Sequence, residues 1–327
     1  MAKPQIWLDF SMHPDAMRLL QEGAEVSGPF AKLDVPEAWS ALAQADGVVI
    51  SARPPCDGAW MDRAPRLRVL ARSGIGYDNV DVDAATARGI CVLNTPDAPT
   101  EPTAEQAVTF ILMLARRIKE GDRGLSAGRW VPRSELEGTE VLGKTLGVVG
   151  LGRIGGRVAE ICSRGLRMRV IAYDPYIGDE RFPAKGAQKV SSLDELLAQA
   201  DFVSLHCPAT AETRGMANRG FFARMKRGSF FVNVARGAVM VEADLLSALK
   251  SGHLAAAALD VFEREPTPSD NPLLCQPNLV LSPHAASNSV EGNRRMNMGA
   301  VTQALQVLGN ERPQSLVNPE VWERRRR

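Results

Sequence analysis

The sequence predicts an α/β protein whose two domains are each built around a parallel sheet. The chain has 327 residues, more than a typical single domain contains. Short apolar runs alternate with helical patterns along most of its length, as in parallel α/β folds. Within residues 145–174 an apolar strand, a glycine-rich turn, a helix and a second strand follow one another without a spacer, which is the pattern of one βαβ unit.

The composition is that of an ordinary globular protein, with 45% hydrophobic and 24% charged residues. A net charge of +1 gives no electrostatic reason to expect a nucleic acid or a membrane as a partner. The N-terminus lacks the pattern of a secretion signal, and no run approaches the ~18 apolar residues of a membrane span. The cysteines form no CxxC pair, which argues against a zinc site and a disulfide framework and favours a reduced, cytoplasmic compartment. They are Cys56, Cys91, Cys162, Cys207 and Cys275.

The first hundred residues contain four apolar runs that are typical of strands, at residues 6–8, 47–50, 68–71 and 90–93. The loop at residues 72–79 contains Gly74 and Gly76, which would let consecutive backbone amides point at one anion. The alternative is a plain turn between a strand and a helix. The spacing alone does not decide between the two.

Two long helices are predicted to be buried. The first opens with a capping box, spans residues 103–118 and is expected to end at Gly121 and Gly124. The second spans residues 288–308, with Glu291 at its third position. Because these helices flank the middle of the chain, we expect the chain to leave one domain, build a second and return to the first.

The glycine-rich turn has the residues that a dinucleotide requires. Gly150 allows the tight turn, Gly152 lets backbone amides approach a pyrophosphate, and Gly155 lets the following helix pack closely while its N-terminus faces the phosphates. Asp174 comes 19 residues after Gly155, where a carboxylate can accept hydrogen bonds from the adenosine ribose. That carboxylate would repel a 2′-phosphate, so NAD is favoured over NADP.

The middle of the chain is therefore a predicted nucleotide domain, at residues 98–285. Residues 1–97 and 286–327 are predicted to form the other domain together. Four further strands are expected in the nucleotide domain, at residues 201–206, 229–234, 254–259 and 279–281. Ligands bind at the carboxyl ends of such strands, so the polar residues that follow each strand are the candidates for a site.

Only two of the four histidines follow strands. His206 stands beside Cys207 and Pro208, a place suited to shaping an adenosine pocket. His284 alone would more often be a structural residue, but it occurs with Arg236 and Glu265 at neighbouring strand ends. The other two, His13 and His253, are expected at the surface.

The motifs RSGIGYDNVD, GLGRIG, AYDPY, HCPAT-ETRG, NVARG, ALDVFEREP and SPHAA occur in this order. In this set the chain resembles the D-isomer-specific 2-hydroxyacid dehydrogenases, above all phosphoglycerate and hydroxypyruvate dehydrogenases, over roughly residues 45–310. The resemblance implies an NAD domain inserted into a smaller, flavodoxin-like substrate domain. It also implies a homodimer and a cleft that closes during turnover.

The resemblance also implies roles for single residues. Arg236 would hold the substrate carboxylate and C2 oxygen, His284 would exchange a proton with that oxygen, and Glu265 would orient the imidazole. The amides of Ile75 and Gly76 would bind the substrate carboxylate. The remaining cofactor contacts would be made by Arg153, Ile154, His206, Cys207, Pro208, Ala235, Asp260 and Thr103.

Several alternatives stay open at this point. Glu263 could be the partner of His284 in place of Glu265, and Asp260 could simply cap a turn. Arg53 and Arg72 could supply charge for a phosphate or face solvent. The run at residues 324–327 is expected to be a solvated or disordered tail without function.

Three functions are compatible with these features. The first is an NAD-dependent reductase or dehydrogenase acting on a small 2-oxo or 2-hydroxy acid such as hydroxypyruvate, glyoxylate or 3-phosphoglycerate. The second is a non-catalytic NAD-sensing protein resembling corepressors of this fold, and the third is a formate-type dehydrogenase. Glu265 disfavours the third, since that subfamily typically has Gln there. The sequence does not indicate which acid is used or in which direction.

Overall fold

The computed structural model describes residues 3–30 and 32–326. Arg327, the last residue of the predicted tail, and the first two residues of the chain lie outside this description. Contacts within the chain divide it into two compact units. Unit 1 comprises Met1–Pro99 and Asn288–Arg327, and unit 2 comprises Thr100–Ser287. No helix in the described ranges is long and apolar enough to cross a membrane.

Unit 1 contains a five-stranded parallel sheet in the order β2-β1-β3-β4-β5, the order of flavodoxin-like folds. The strands are β1 (Gln5–Leu8), β2 (Glu25–Ser27), β3 (Gly47–Ile50), β4 (Val69–Arg72) and β5 (Cys91–Leu93). The central strand β3 is buried along its whole length. The edge strand β2 was not predicted, because its three residues are partly exposed and form no apolar run.

Four helices connect these strands: α1 (Pro14–Gly23), α2 (Pro36–Ala43), α3 (Gly58–Asp62) and α4 (Val82–Ala87). The side chains of Asp57 and Asp81 cap α3 and α4 by accepting backbone hydrogen bonds. Buried apolar clusters cover both faces of the sheet. The strands of a parallel sheet are apolar on both faces for this reason.

Unit 2 contains a seven-stranded parallel sheet in the order β12-β11-β10-β9-β6-β7-β8. Its strands are β6 (Thr145–Val149), β7 (Arg169–Tyr173), β8 (Gln188–Lys189), β9 (Phe202–Leu205), β10 (Ser229–Asn233), β11 (Leu254–Leu259) and β12 (Leu279–Leu281). The order is that of a doubly wound dinucleotide fold with one extra strand. The direction of winding reverses at β6, so the crevice beside β6 is the expected ligand site.

Seven helices belong to unit 2: α5 (Thr100–Arg116), α6 (Ile118–Ser126), α7 (Arg153–Glu160), α8 (Arg181–Ala184), α9 (Leu193–Gln199), α10 (Arg219–Arg224) and α11 (Glu242–Lys250). Single turns of 3₁₀ helix occur at Arg133–Leu136, Gly237–Val239 and Pro272–Cys275. The helix predicted after the glycine-rich turn ends as an α-helix at Glu160 and widens into a π turn at Ile161–Gly165.

The predicted end of the first buried helix is wrong. A left-handed residue, Arg117 with φ 52°, separates α5 from α6, and both Gly121 and Gly124 lie inside α6. A Cβ at Gly124 would lie 2.0 Å from Val131, so this glycine permits close packing and does not terminate a helix. The predicted start is also wrong, because α5 begins at Thr100 and Thr103 lies inside it.

The chain returns to unit 1 through α12 (Val290–Leu308), which is capped by Ser289 and followed by a 3₁₀ turn at Pro319–Arg324. The expectation of a solvated C-terminal tail is wrong for the described part. The Arg325 guanidinium stacks 3.6 Å from the centre of the Trp322 ring, and Arg326 donates to the carbonyls of Gly89 and Pro65 at 2.9 and 3.0 Å. Backbone acceptors and an aromatic face hold these arginines.

Candidate active site

The turn after β6 has a geometry that only glycine permits at two positions. Gly150 has a φ of 88°, and a Cβ there would lie 2.9 Å from the Cys207 nitrogen. A Cβ at Gly155 would lie 2.0 Å from the carbonyl oxygen of Gly150. At Gly152, by contrast, no atom of the described residues outside the immediate chain neighbours lies within 4 Å of the Cβ position. The turn is thus closed on its protein side and open beside Gly152, as a bound pyrophosphate requires.

The N-terminus of α7 faces the same opening. Gly152 is its N-cap residue and has no side chain with which to cap the helix. The amide of Ile154 has no acceptor inside the helix, because the first turn of any α-helix leaves its N–H groups without intrahelical partners. This amide and the positive end of the helix fit a diphosphate.

The Asp174 side chain is hydrogen-bonded to the glycine turn. It follows β7, and its Oδ2 accepts from the amide of Leu151 at 2.9 Å while its Oδ1 accepts from the amide of Tyr176 at 3.0 Å. Each carboxylate oxygen can accept a further hydrogen bond. The position therefore suits the ribose hydroxyls of a dinucleotide bound at the turn.

His206 packs beneath the glycine turn, 3.1 Å from the position of a Cβ on Gly155. Its Nε2 is 2.8 Å from the Ser204 hydroxyl, and its Nδ1 is buried without a partner among the described residues. Burial lowers the pKa of the imidazole to about 3, so the ring is neutral at physiological pH. Cys207 is partly buried and Pro208 exposed, at the same strand end.

The strand ends of β10 and β11 are packed directly against each other. A Cβ at Gly237 would lie 1.7 Å from the carbonyl oxygen of Phe262, so only glycine fits there. Asn233 shapes the turn after β10, because its side chain accepts from the Ala235 amide at 3.0 Å and donates to the Arg236 carbonyl at 3.0 Å. In the sequence Asn233 was part of a motif without a role of its own. In the structure its buried side-chain amide fixes the conformation of the turn that contains Arg236.

Arg236, Glu265 and His284 lie together at this end of the sheet. His284 Nδ1 is 2.5 Å from Glu265 Oε2, and Glu265 Oε1 accepts from the Phe262 amide at 2.9 Å. Burial opposes ionisation of Glu265, but the hydrogen bonds from His284 and Phe262 and the nearby charge of Arg236 outweigh it and hold the pKa of the carboxyl below its usual value. The ionised Glu265 can therefore orient the imidazole.

Glu263 is engaged elsewhere. Its Oε1 accepts from the Glu242 amide at 2.8 Å, and its own amide donates to Glu242 Oε1 at 2.8 Å. These reciprocal bonds join the loop after β11 to α11. Glu265, and not Glu263, is the residue that contacts His284.

Asp260 supports the turn that carries His284. It is 1% exposed. Its carboxylate accepts from the amides of Ala285 and Ala286 at 2.8 and 3.0 Å and from the Ser282 hydroxyl, and its carbonyl accepts from the His284 amide at 2.7 Å. Its contacts are thus those of a turn-capping residue, and a contact with nicotinamide stays a prediction. Ser282 was part of a motif in the sequence without a role, since its role depends on a contact with a residue 22 positions earlier in the chain.

In unit 1 the loop after β4 is held by hydrogen bonds to the segment that follows β5. Gly74 has a φ of 147° and donates to Thr95 Oγ1 at 2.9 Å, while Asn94 donates to the carbonyl of Ile75 at 2.8 Å. Within residues 3–30 and 32–326 the amides of Ile75 and Gly76 have no acceptor. These two amides are therefore available to an anion.

The other candidate residues lie in different surroundings. Thr103 is buried within α5, which packs on α7, and Ala235 is buried beside Arg236. Arg53 pairs with the buried Asp9 at 3.4 Å, and Arg72 donates to the Ser73 carbonyl.

His13 and His253, which are expected at the surface, are both partly exposed. His13 Nδ1 accepts from the Asp15 amide at 3.2 Å, and His253 Nε2 is 3.0 Å from the Met225 carbonyl. Each imidazole thus makes a hydrogen bond that stabilises the backbone near it. In the part of the chain that the structure describes, no group of three or more His, Cys, Asp or Glu side chains is placed to hold a metal ion.

Comparison with known proteins shows the family to which the chain is similar. Residues 108–286 match the family model of the D-isomer specific 2-hydroxyacid dehydrogenase, NAD binding domain. The chain is 43% identical over 256 residues to a D-3-phosphoglycerate dehydrogenase of Archaeoglobus fulgidus, covering 78% of this chain and 48% of that protein. It is 38% identical over 332 residues to a glyoxylate reductase of Aeropyrum pernix, with 98% of each covered.

Solved structures are similar as well. A D-lactate dehydrogenase from Aquifex aeolicus, crystallised with NAD and lactic acid, superposes with a TM-score of 0.82 at 27% identity, covering 94% of this chain and 96% of that one. The chain spans about half the length of the phosphoglycerate dehydrogenases that it matches.

Proposed function

Because the chain belongs to the D-isomer specific 2-hydroxyacid dehydrogenase family, we propose that it interconverts a small 2-oxo acid and the corresponding D-2-hydroxy acid with NAD as coenzyme. One observation carries the proposal beyond family membership. An imidazole bonded to an ionised carboxylate lies with a guanidinium at the carboxyl ends of strands in the sheet that bears the glycine turn.

Each of these side chains has a role in the proposed reaction. The Arg236 guanidinium binds the carboxylate and C2 oxygen of the acid, for which its planar fork is suited. His284 donates a proton from Nε2 to the C2 oxygen during reduction and accepts it during oxidation, while Glu265 holds Nδ1. The coenzyme, when bound, supplies or accepts the hydride at C2. The free amides of Ile75 and Gly76 bind the substrate carboxylate.

The candidate substrates are glyoxylate, hydroxypyruvate and 3-phosphoglycerate. Relatives named glyoxylate reductase and D-3-phosphoglycerate dehydrogenase support this class. The five free thiols are compatible with action in the reducing cytoplasm.

A homodimer formed through unit 2 is part of the proposal. Four large apolar side chains are exposed along one segment of that unit: Ile118, Leu125, Trp130 and Leu142. Large exposed apolar side chains that lie close in the sequence are a common feature of interaction surfaces.

The test is a spectrophotometric screen of NADH oxidation with 2-oxo acids of graded size and charge. We expect turnover with at least one small 2-oxo acid and its loss in Arg236→Ala. No oxidation with any acid of the panel, by protein that binds NADH, would contradict the proposed activity.

A further inference from the structure

Two loops stand on either side of the glycine turn in unit 2. Strands β7 and β9 are the neighbours of β6 in the sheet, so the loops that follow them flank the crevice beside β6. Tyr176 lies in the loop after β7, and Glu212 lies in the loop after β9. The Tyr176 hydroxyl donates a hydrogen bond to Glu212 Oε2. This bond therefore spans the crevice in which a doubly wound fold binds the adenosine half of a dinucleotide.

The bridge is also tied to the carboxylate that follows β7. The Tyr176 amide donates to Asp174 Oδ1 at 3.0 Å. The hydrogen bond to Glu212 raises the pKa of the Tyr176 phenol, and the charges of Glu212 and Asp174 add to the effect. Both carboxylates thus act on one phenol, and they border the same part of the crevice.

The charge of Glu212 is not neutralised by a neighbour. Among residues 3–30 and 32–326, no basic side chain forms an ion pair with it. Its only described side-chain bond is the one from Tyr176, which joins the loop after β9 to the loop after β7. A phosphate on the adenosine ribose would meet a second negative charge besides that of Asp174.

We propose that Glu212, held by Tyr176, is a second determinant of coenzyme choice and acts with Asp174 to exclude dinucleotides that carry a 2′-phosphate. The proposal rests on the assignment of NAD as coenzyme. Because Glu212 is exposed, salt screens its interaction with the phosphate, and the discrimination it adds is several-fold and depends on ionic strength.

Equilibrium binding of ADP-ribose and 2′-phospho-ADP-ribose to the full chain, measured by calorimetry, tests this without turnover. Glu212→Gln removes the charge and keeps an acceptor for the Tyr176 hydroxyl. We expect the preference for ADP-ribose to fall about fivefold at low salt and by less at high salt. Tyr176→Phe, which releases a charged Glu212, should reduce the preference by a smaller factor.

The matched control is Asp179→Asn, which removes a carboxylate that is 80% exposed in the loop after β7 and leaves the bridge intact. This control should leave the preference unchanged. An unchanged preference in Glu212→Gln at low salt would overturn the proposal, as would an equal change in the control. If the wild-type protein binds neither ligand, the coenzyme assignment is overturned as well. If the wild-type protein binds ADP-ribose alone, that assignment stands, and the measurement on Glu212→Gln decides the proposal.

Discussion

His284 has a backbone φ of 52°, in the left-handed region that residues other than glycine seldom adopt. Such a conformation costs on the order of 1–3 kcal/mol and persists only where surrounding contacts fix it. The buried Asp260 supplies these contacts through the carbonyl that binds the His284 amide and the carboxylate that binds the next two amides. The imidazole is thus aimed by its backbone as well as by Glu265.

His206 makes a prediction for the pH dependence of stability. Its pKa is about 3 in the folded protein and about 6.5 when unfolded, so the unfolded chain binds a proton that the folded chain excludes. Stability should therefore fall as the pH decreases below about 6.5, by up to roughly 1.4 kcal/mol per pH unit. Urea unfolding between pH 5 and 8 should show a shallower pH dependence in His206→Gln, and equal slopes in both proteins would contradict the assignment.

The residues of the candidate site could be named from the sequence because they occur in ordered motifs at strand ends. Their supports could not. Asn233 acts through side-chain bonds inside its own turn and Ser282 through a bond to the loop after β11, and neither contact is indicated by a spacing in the sequence. The choice between Glu263 and Glu265 likewise depends on side-chain direction, since Glu263 binds Glu242.

Among the elements, the turn between β6 and α7 leaves no room for a methyl group at Gly155. Gly155→Ala should displace the turn and weaken NADH binding by roughly tenfold or more, because the clash is with backbone. Gly165→Ala is the matched control, since a Cβ at Gly165 has nothing within 4 Å. Fluorescence titration of NADH measures both variants. Equal affinities in the two would show that the turn does not bind the coenzyme.

Helix α12 supports the loop that presents Ile75 and Gly76. Asn297 is 5% exposed, and its side chain accepts from the His13 amide at 2.7 Å and donates to the Ser73 hydroxyl at 2.8 Å. Asn297→Leu should raise the KM for the 2-oxo acid roughly fivefold to tenfold, with the KM for NADH changed less than about twofold, because the loss is confined to unit 1. Thr302→Ala, on the exposed face of α12, is the control. Parallel rises in both KM values would indicate general damage instead.

Long apolar strands and the two long helices could be predicted, while their ends were less certain. Strands β2 and β8 were not predicted. They lie at sheet edges and have only three and two residues, respectively, which form no apolar run. The break at Arg117 was missed, since a left-handed arginine has no sequence signal and the following glycines appeared to end the helix.

At the scale of the whole molecule, the proposed dimer places Trp130, which is 83% exposed, in an interface. Trp130→Lys should shift the protein from dimer to monomer in light scattering after gel filtration, because the charge would be buried. Tyr176→Phe, which alters another exposed aromatic residue, should leave the mass unchanged. A wild-type monomer would contradict the dimer and leave the enzymatic proposal intact.

The two sheets and their parallel order followed from alternating strands and helices, since parallel strands need crossover connections. The arrangement in which the chain returns to its first unit was inferred from two buried helices. Contacts in the structure separate units at Pro99 and Ser287. Assigning substrate and coenzyme to these units stays a prediction.

The most direct test of the account compares wild-type protein with His284→Gln in two assays. Stopped-flow reduction of the 2-oxo acid identified in the screen should slow by about 10²–10⁴ in the variant, because the proton donor is lost. NADH titration of the same preparations should give dissociation constants within about twofold, since the glycine turn is untouched. A variant that binds NADH normally and still reduces the acid at close to the wild-type rate would contradict the central claim.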